Sequence, residues 1–189
     1  MTCISVGTQK YFDAKKCKQD YINVSLPVNL RYNHPNKVEE IDLCNKFSMM
    51  LLKMGLYSTR KEAMIHIKRM TTAAKKSFEY YANYIFLQAG VFFAPEPLVK
   101  ASGNDLSQNM SLVLSNVPGP KTPILFNGKK SIKTFFFLVP AGRAGFAISF
   151  YSHNGIVKMA ITSDEARIKD PQEYMDYVIK EINDGIKED

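Results

Sequence analysis

The sequence predicts an α+β domain, a β-sheet flanked by helices. Three observations carry that reading. Apolar residues alternate with polar ones over residues 20–30, 146–151 and 156–161, the period of half-buried strands. They recur at three- and four-residue spacing over residues 59–85 and again after Asp170, the period of amphipathic helices. Turn residues separate these runs, with no Gly/Ser linker, internal repeat or composition shift to mark a boundary, so residues 1–189 read as one domain with a core of about 20–185.

In chain order, residues 2–16 suit a short helix with Ile4, Thr8, Tyr11 and Phe12 near one face and Lys10, Lys15 and Lys16 elsewhere. Ile22, Val24 and Leu26 then mark a strand whose Pro27, lacking an amide hydrogen, belongs at an edge or a bulge. Arg31 follows as a fixed positive charge, and Asn33, His34, Pro35 and Asn36 give residues 32–40 the composition of an exposed loop. Residues 41–56 are ambiguous: Phe47, Met50, Leu51 and Met54 suit a helix, while the unbroken apolar run suits a buried strand. Thr59 and Glu62 have capping-box spacing, so a helix starts there. Ala63, Ile67, Met70, Ala74, Phe78, Tyr81 and Ile85 hold its period as one long amphipathic helix, with Lys75 to Phe78 the place where it would break. The methionines and aromatics of that face read as core. Pro95 and Pro97 cannot continue a helix, and residues 102–109 form a polar loop.

Ser111 to Leu114 have strand character and run into Pro118-Gly119-Pro120, where two fixed φ angles and a glycine free to take unusual ones make a stiff turn. Asn116 offers an amide to tie that turn to neighbouring backbone. Residues 132–139 read as an aromatic strand, and Asn154-Gly155 between two alternating runs is a strong hairpin signal. Asp170, Pro171 and Glu173 supply N-cap, N1 proline and N3 acid for a last helix through Tyr174, Val178 and Ile182, ending near Gly185.

Composition bounds the function classes. With 46% apolar and 12% aromatic residues the chain folds rather than staying disordered. A net charge of +7 favours anionic partners, yet the lysines lie in short scattered groups that read as solvated faces, and no nucleic-acid motif accompanies them. No nucleic-acid partner is expected. Cys3, Cys17 and Cys44 suggest neither a disulfide framework nor a metal site. The first residues lack a secretory cleavage pattern, and the apolar runs at 80–94 and 134–139 are interrupted or too short to span a bilayer. The expectation is an intracellular, reducing location with at most peripheral contact with a membrane, that of the endoplasmic reticulum or the plasma membrane.

The stretch Ser115-Asn116-Val117-Pro118-Gly119-Pro120, with Gly128 eight residues on and the Ser152 to Gly155 turn, resembles the C-terminal domain of the wax ester synthase/diacylglycerol acyltransferase family. Leu26-Pro27-Val28-Asn29-Leu30-Arg31 is similar to that family's Val-Pro-Val-x-x-Arg segment. Asn45-Lys46-Phe47 is similar to its Gly-Asn-x-x segment, with Cys44 where glycine is usual. Asp164 and the helix start at Asp170-Pro171 also fall in place, so the likeness covers about residues 20 to 185. It implies a mixed β-sheet with helices on one side, a single lobe of the chloramphenicol-acetyltransferase-like fold, and a strand over residues 41–56 that crosses between lobes.

Acyl transfer to an alcohol needs a base for the hydroxyl proton and donors for the thioester oxyanion. In the family that this chain resembles, the base belongs to a His-His-x-x-x-Asp-Gly motif in an N-terminal lobe, and that motif is absent here. His34 sits in a proline loop and His66 within a helix; His153 stands at a hairpin tip, where the family more often has Tyr and where side chains are normally exposed. No catalytic residue and no metal site is expected, nor a nucleophile elbow, P-loop or dinucleotide pattern. The resemblance implies the second lobe of an O-acyltransferase, moving a fatty acyl group from acyl-CoA to diacylglycerol or a long-chain alcohol. Asn116, Pro118, Gly119, Ser149 and Ser152 would shape the substrate channel or lobe junction. On that reading acyl-CoA is a substrate and no cofactor is needed; both substrates meet against an N-terminal lobe absent from this sequence, and the chain alone is inert. The alternative is a free-standing non-catalytic lobe that binds an acyl chain or a protein.

Overall fold

A computed structural model describes residues 1–31, 37–40, 43–44, 46–93, 95, 108–140 and 144–188. His34, Asn45, Pro97 and the 102–107 part of the polar loop lie outside them. The chain forms α1 (Thr2–Ala14), β1 (Tyr21–Asn29), β2 (Phe47–Gly55), α2 (Arg60–Lys76), α3 (Glu79–Phe93), β3 (Leu112–Pro118), the short strands β4 (Leu125–Phe126) and β5 (Lys129–Lys130), β6 (Phe146–His153), β7 (Ile156–Ser163) and α4 (Pro171–Glu188). Five strands make a mixed sheet in the order β2-β1-β3-β6-β7, while β4 and β5 pair by themselves. The two central contacts, β1 with β3 and β3 with β6, are parallel, and the two outer ones are antiparallel.

Alternation decides which side chains enter the core. Ile22 and Val24 of β1, Met54 of β2, Leu112 and Leu114 of β3, and Phe146 and Ile148 of β6 face one side, where they pack with Ile4, Val6, Ala63, Ile67, Tyr174 and Val178 from α1, α2 and α4. Gly7 lets α1 and α4 approach closely: a Cβ there would lie 2.9 Å from the Val178 Cα. In the same layer Thr8 hydroxyl donates to the Ile4 carbonyl (2.6 Å) and meets the Tyr174 hydroxyl at 2.8 Å, so the buried phenol is left to donate to Thr8. Glu181, fully buried on α4, pairs with Lys10 of α1 (2.5 Å) and Arg60 of α2 (3.2 Å), which ties the three helices together.

Local signals set the element boundaries. The Glu62 amide donates to the Thr59 hydroxyl at 3.4 Å, and the amides of Gln172 and Glu173 donate to Asp170 at 3.0 and 3.1 Å, as the capping patterns require. The long helix does break in the expected segment, at Ser77. Asn154 (φ 51°) and Gly155 (φ 76°) make the two-residue turn between β6 and β7. The last helix runs through Gly185 to Glu188, because its other apolar positions already pack on α1 and one glycine costs only about 1 kcal/mol against alanine.

Other expectations are corrected. The ambiguous segment contains a strand, β2, but it pairs with β1 along its whole length and so stays in this sheet instead of crossing to another lobe. Residues 132–139 keep the alternation of an extended chain, Phe135, Phe137 and Val139 outward and Phe136 and Leu138 inward, yet they join no strand ladder among the described residues. The flanks of β6 are already taken by β3 and β7, so this segment lies across the sheet face opposite the helices. There the Phe136 carbonyl accepts from the Ser149 hydroxyl, the Phe136 ring meets Tyr151 edge-on, and Leu138 joins Val113 and Ala147. Among the described residues no helix is long and apolar enough to cross a membrane.

Candidate functional site

The site begins with a missing hydrogen. Ser111 donates its amide to the Asn23 carbonyl at 2.9 Å, so the odd-numbered residues of β1 turn their backbone groups toward β3. The β1–β3 ladder continues through Val24 with Leu112 and Ser25 with Val113 and stops there. The next odd position is Pro27, which has no N–H to give. Proline therefore does sit where the strand lacks a neighbour on one side, as an edge position would, although β1 is an interior strand.

Past that point β1 and β3 diverge, and a groove of about 340 Å³ opens on the helix side. Leu26, Met50, Leu52, Leu114 and Ala74 make its walls, and Thr71, Lys75, Tyr80 and Asn116 bring polar groups to it. The Ser77 break belongs to the same design, since α2 and α3 meet there and send Lys75 and Tyr80 to the groove from either side. This combination, a mostly apolar concavity of a few hundred Å³ with few polar groups, is the usual form of a small-ligand site.

Of the five residues expected at a channel or junction, the structure gathers three. Pro118 and Ser152 are direct partners across β3 and β6, and the Gly119 amide donates to the Ser152 carbonyl (2.8 Å) and hydroxyl (3.2 Å). Asn116 lies within β3 opposite Phe150 and lines the groove, while the turn is held by the Gly119 amide. Ser149 is separated from it, buried on the opposite face. Gly119 is also required for a different reason than expected. It is not among the positive-φ residues; space is what it supplies, because a Cβ would collide with the Ser152 carbonyl oxygen and lie 2.6 Å from Tyr151 Cζ.

Neither described histidine lines the groove. His66 is exposed on α2 and stacked on Tyr57 (5.0 Å, 8°), beside a second cleft of about 290 Å³ whose charged residues are Lys53 and Arg69. His153 is buried, not exposed, because residues 120–124 fold over the β6–β7 tip. Its Nε2 accepts the Ile124 amide at 3.3 Å. A neutral imidazole has one acceptor nitrogen, and here a backbone amide occupies it. Among the described residues no group of three His, Cys, Asp or Glu could hold a metal ion.

The residues that the sequence left unmarked are the groove walls, drawn from β1, β2, α2 and β3. Their only local signal is Pro27, and its meaning depends on the strand lying beside it.

The WS/DGAT C-terminal domain model matches residues 43–184. No curated protein matches the chain. Among solved structures, the wax ester synthase/diacylglycerol acyltransferase from Marinobacter aquaeolei VT8 is similar over 96% of this chain and 40% of its own, with a TM-score of 0.58 at 17% identity. The starter condensation domain of rhizomide synthetase (TM-score 0.51, 11% identity) and an epimerization domain of tyrocidine synthetase B (TM-score 0.50, 12% identity) each align with 96% of this chain and with 39% and 40% of their own. These likenesses place the mixed sheet and its helices in the chloramphenicol-acetyltransferase-like fold, and the chain spans about two-fifths of the length of each structure. With the domain model covering most of its residues, the chain belongs to the wax ester synthase/diacylglycerol acyltransferase C-terminal domain family.

Proposed function

We propose that this chain is the acyl-holding lobe of an O-acyltransferase that moves a fatty acyl group from acyl-CoA to diacylglycerol or a long-chain alcohol, and that it works only against a second lobe carrying the base. The single observation behind this reading is the groove where β1 and β3 part. Its apolar walls offer a hydrocarbon chain a place out of water, worth about 0.8 kcal/mol per buried methylene. Asn116 adds amide donors and Lys75 a cation for the polar end of the ligand. The Pro118-Gly119-Ser152 contact holds the adjacent strand ends as the wall that meets the second lobe.

Helix α3 supports the need for a partner. It is apolar all round apart from Glu79, Asn83 and Gln88, and it leaves Ile85, Phe86, Phe92 and Phe93 exposed. A helix of that composition is normally covered by other protein. In the proposed reaction the second lobe's histidine takes the alcohol proton while this lobe fixes the acyl chain, so the thioester carbonyl is presented in one orientation. Without the base, a factor of about 10²–10⁴ in rate is forfeited.

Two measurements test this. A fluorescent fatty-acid probe should bind the wild-type chain, and Ala74→Phe, which fills the groove, should weaken binding at least about tenfold, while Ile65→Phe on exposed α2 surface should not. Equal binding by wild type and Ala74→Phe would remove the groove from the account. The chain alone should form no ester from acyl-CoA with hexadecanol or diacylglycerol, and a separately expressed His-containing lobe should restore turnover. Turnover by the lone chain that is lost in His153→Ala would make His153 the base.

A further inference from the structure

The end of the molecule built around β4 and β5 has no role in the groove, and its composition is unusual. Between Asp105 and Asp164 the sequence contains no acidic residue, while Lys121, Lys129, Lys130, Lys133, Arg143 and Lys158 supply six cations. Four of those lysines lie in the segment that carries the small hairpin.

Asn127 (φ 47°) and Gly128 (φ 77°) turn that hairpin tightly, which sets Leu125 opposite Lys130 and Phe126 opposite Lys129. Directly paired residues share a face, so each face of the hairpin carries one large apolar side chain beside one ammonium. Leu125 and Phe126 are 60% and 68% exposed, and Ile132, just beyond, is 90% exposed. The hairpin is not a loose tip. The Ser131 amide donates to the Ile124 carbonyl (2.8 Å), the Ile124 amide to His153 (3.3 Å), and the Asn154 amide to the Pro120 carbonyl (3.0 Å). These bonds seat it on the β6–β7 turn, where Ile156 and Val157 are also exposed. From Lys133 the same pairing of cation and apolar surface continues into a cleft of about 450 Å³ that holds Phe135, Phe137 and Lys158.

We infer that the β4–β5 hairpin is a docking element for an anionic lipid surface, with Leu125, Phe126 and Ile132 entering the interface and Lys121, Lys129, Lys130 and Lys133 meeting the headgroups. Charge decides between this occupant and a protein. The other large exposed apolar element, α3, has no Lys or Arg anywhere from 77 to 99, so it lacks the means to favour an anionic surface. At the hairpin Leu125 and Phe126 each have an ammonium directly across the ladder, and the same stretch of chain holds no carboxylate. Flexible lysine stems keep their charge at headgroup level while aromatic and aliphatic neighbours go deeper. This inference stands whether or not the acyl-transfer reading holds.

The test uses the full chain and sedimentation with vesicles of phosphatidylcholine alone or with about one-third phosphatidylglycerol. Binding should require phosphatidylglycerol and weaken with salt. Lys129→Ser with Lys130→Ser should weaken it by about thirtyfold, on the basis of what two lysines contribute near such a surface. Lys61→Ser with Lys68→Ser, the same loss of charge on α2, should leave it nearly unchanged. Because the chain has no tryptophan, Phe126→Trp gives a single fluorophore, whose emission should shift to the blue with vesicles containing phosphatidylglycerol. Equal binding to neutral vesicles, an equal loss in the α2 variant, or no spectral shift on binding would overturn the proposal. So would hairpin variants that change only the oligomeric state, which would mark a protein interface.

Discussion

Gly119→Ala should be costly far beyond its one added carbon. The new Cβ would run into the Ser152 carbonyl oxygen and stand 2.6 Å from Tyr151 Cζ, against the 3.5–4.0 Å or so at which carbon atoms rest. Of the two, the Ser152 carbonyl is backbone and cannot easily retreat. Both belong to β6, which is laddered to β3 from Leu112↔Phe146 to Pro118↔Ser152 and to β7 on its other side. The turn has to lift instead, which stretches the Gly119–Ser152 hydrogen bond. Losing that bond costs about 0.5–1.5 kcal/mol and overpacking about 1–3 kcal/mol, so a destabilisation of about 2–4 kcal/mol is expected. At a urea dependence of about 2 kcal/mol per molar the unfolding midpoint should fall by about 1–2 M, read by far-ultraviolet circular dichroism. Gly90→Ala is the matched control: it is helical with nothing within 4 Å of a new Cβ, and should stabilise by about 0.5–1 kcal/mol. A Gly119→Ala midpoint within about 0.3 M of wild type would refute the steric reasoning.

Two further perturbations address the helix layer. The Glu181 triad should respond asymmetrically: Lys10→Met with Arg60→Met strands a fully buried carboxylate and should cost about 3–5 kcal/mol, whereas Glu181→Leu removes the carboxylate from beside two cations that already reach solvent and should cost less in the same urea titration. The reverse order would mean that the carboxylate does not depend on its partners. Burial pushes the Tyr174 phenol above its ordinary value of about 10, although Thr8 is hydrogen-bonded to it. The folded value is the higher one, so the phenol's contribution is intact below pH 10 or so and is lost as pH rises beyond it toward the folded value. Wild type should therefore lose stability above that pH more steeply than Tyr174→Phe, by up to about 1.4 kcal/mol per pH unit, and parallel curves would contradict this.

What could be read from the sequence was what neighbouring residues decide among themselves. The Asn154-Gly155 turn, the Asp170 cap and the Thr59 start are each settled within four residues, and each stands as expected. Residues 47–55 could not be settled that way, because β2 has apolar side chains on both faces and its alternation is blurred. Residues 132–139 show the opposite failure: local pattern gives an extended chain, but only the sheet order tells whether a neighbouring strand remains to pair with it. The same distinction separates the parts of the candidate site. Pro118 and Gly119 belong to one recognisable turn and Ser152 stands beside another, and the β3–β6 ladder brings the two together, whereas the groove beside Asn116 has no turn to mark it and arises between segments far apart in sequence. His153 reads as a hairpin tip until residues 120–124 close over it.

The short seam between β1 and β3 has a mechanical consequence. One plate is β2 with β1, stitched along its length; the other is β3, β6 and β7, stitched as firmly. Among the described residues the ladder between them is two residue pairs long, preceded by the Ser111–Asn23 bond, and Pro27 has no amide hydrogen to lengthen it. A small rotation of one plate against the other therefore changes the width of the groove without unzipping either plate, much as a book opens at its spine. The signature in hydrogen exchange is uneven protection: amides at the seam, Ser25 among them, should open at lower free energy than those of the β3–β6 ladder. A groove bounded by two such plates can change its width with no moving lid, since the sheet itself serves as the adjustable jaw.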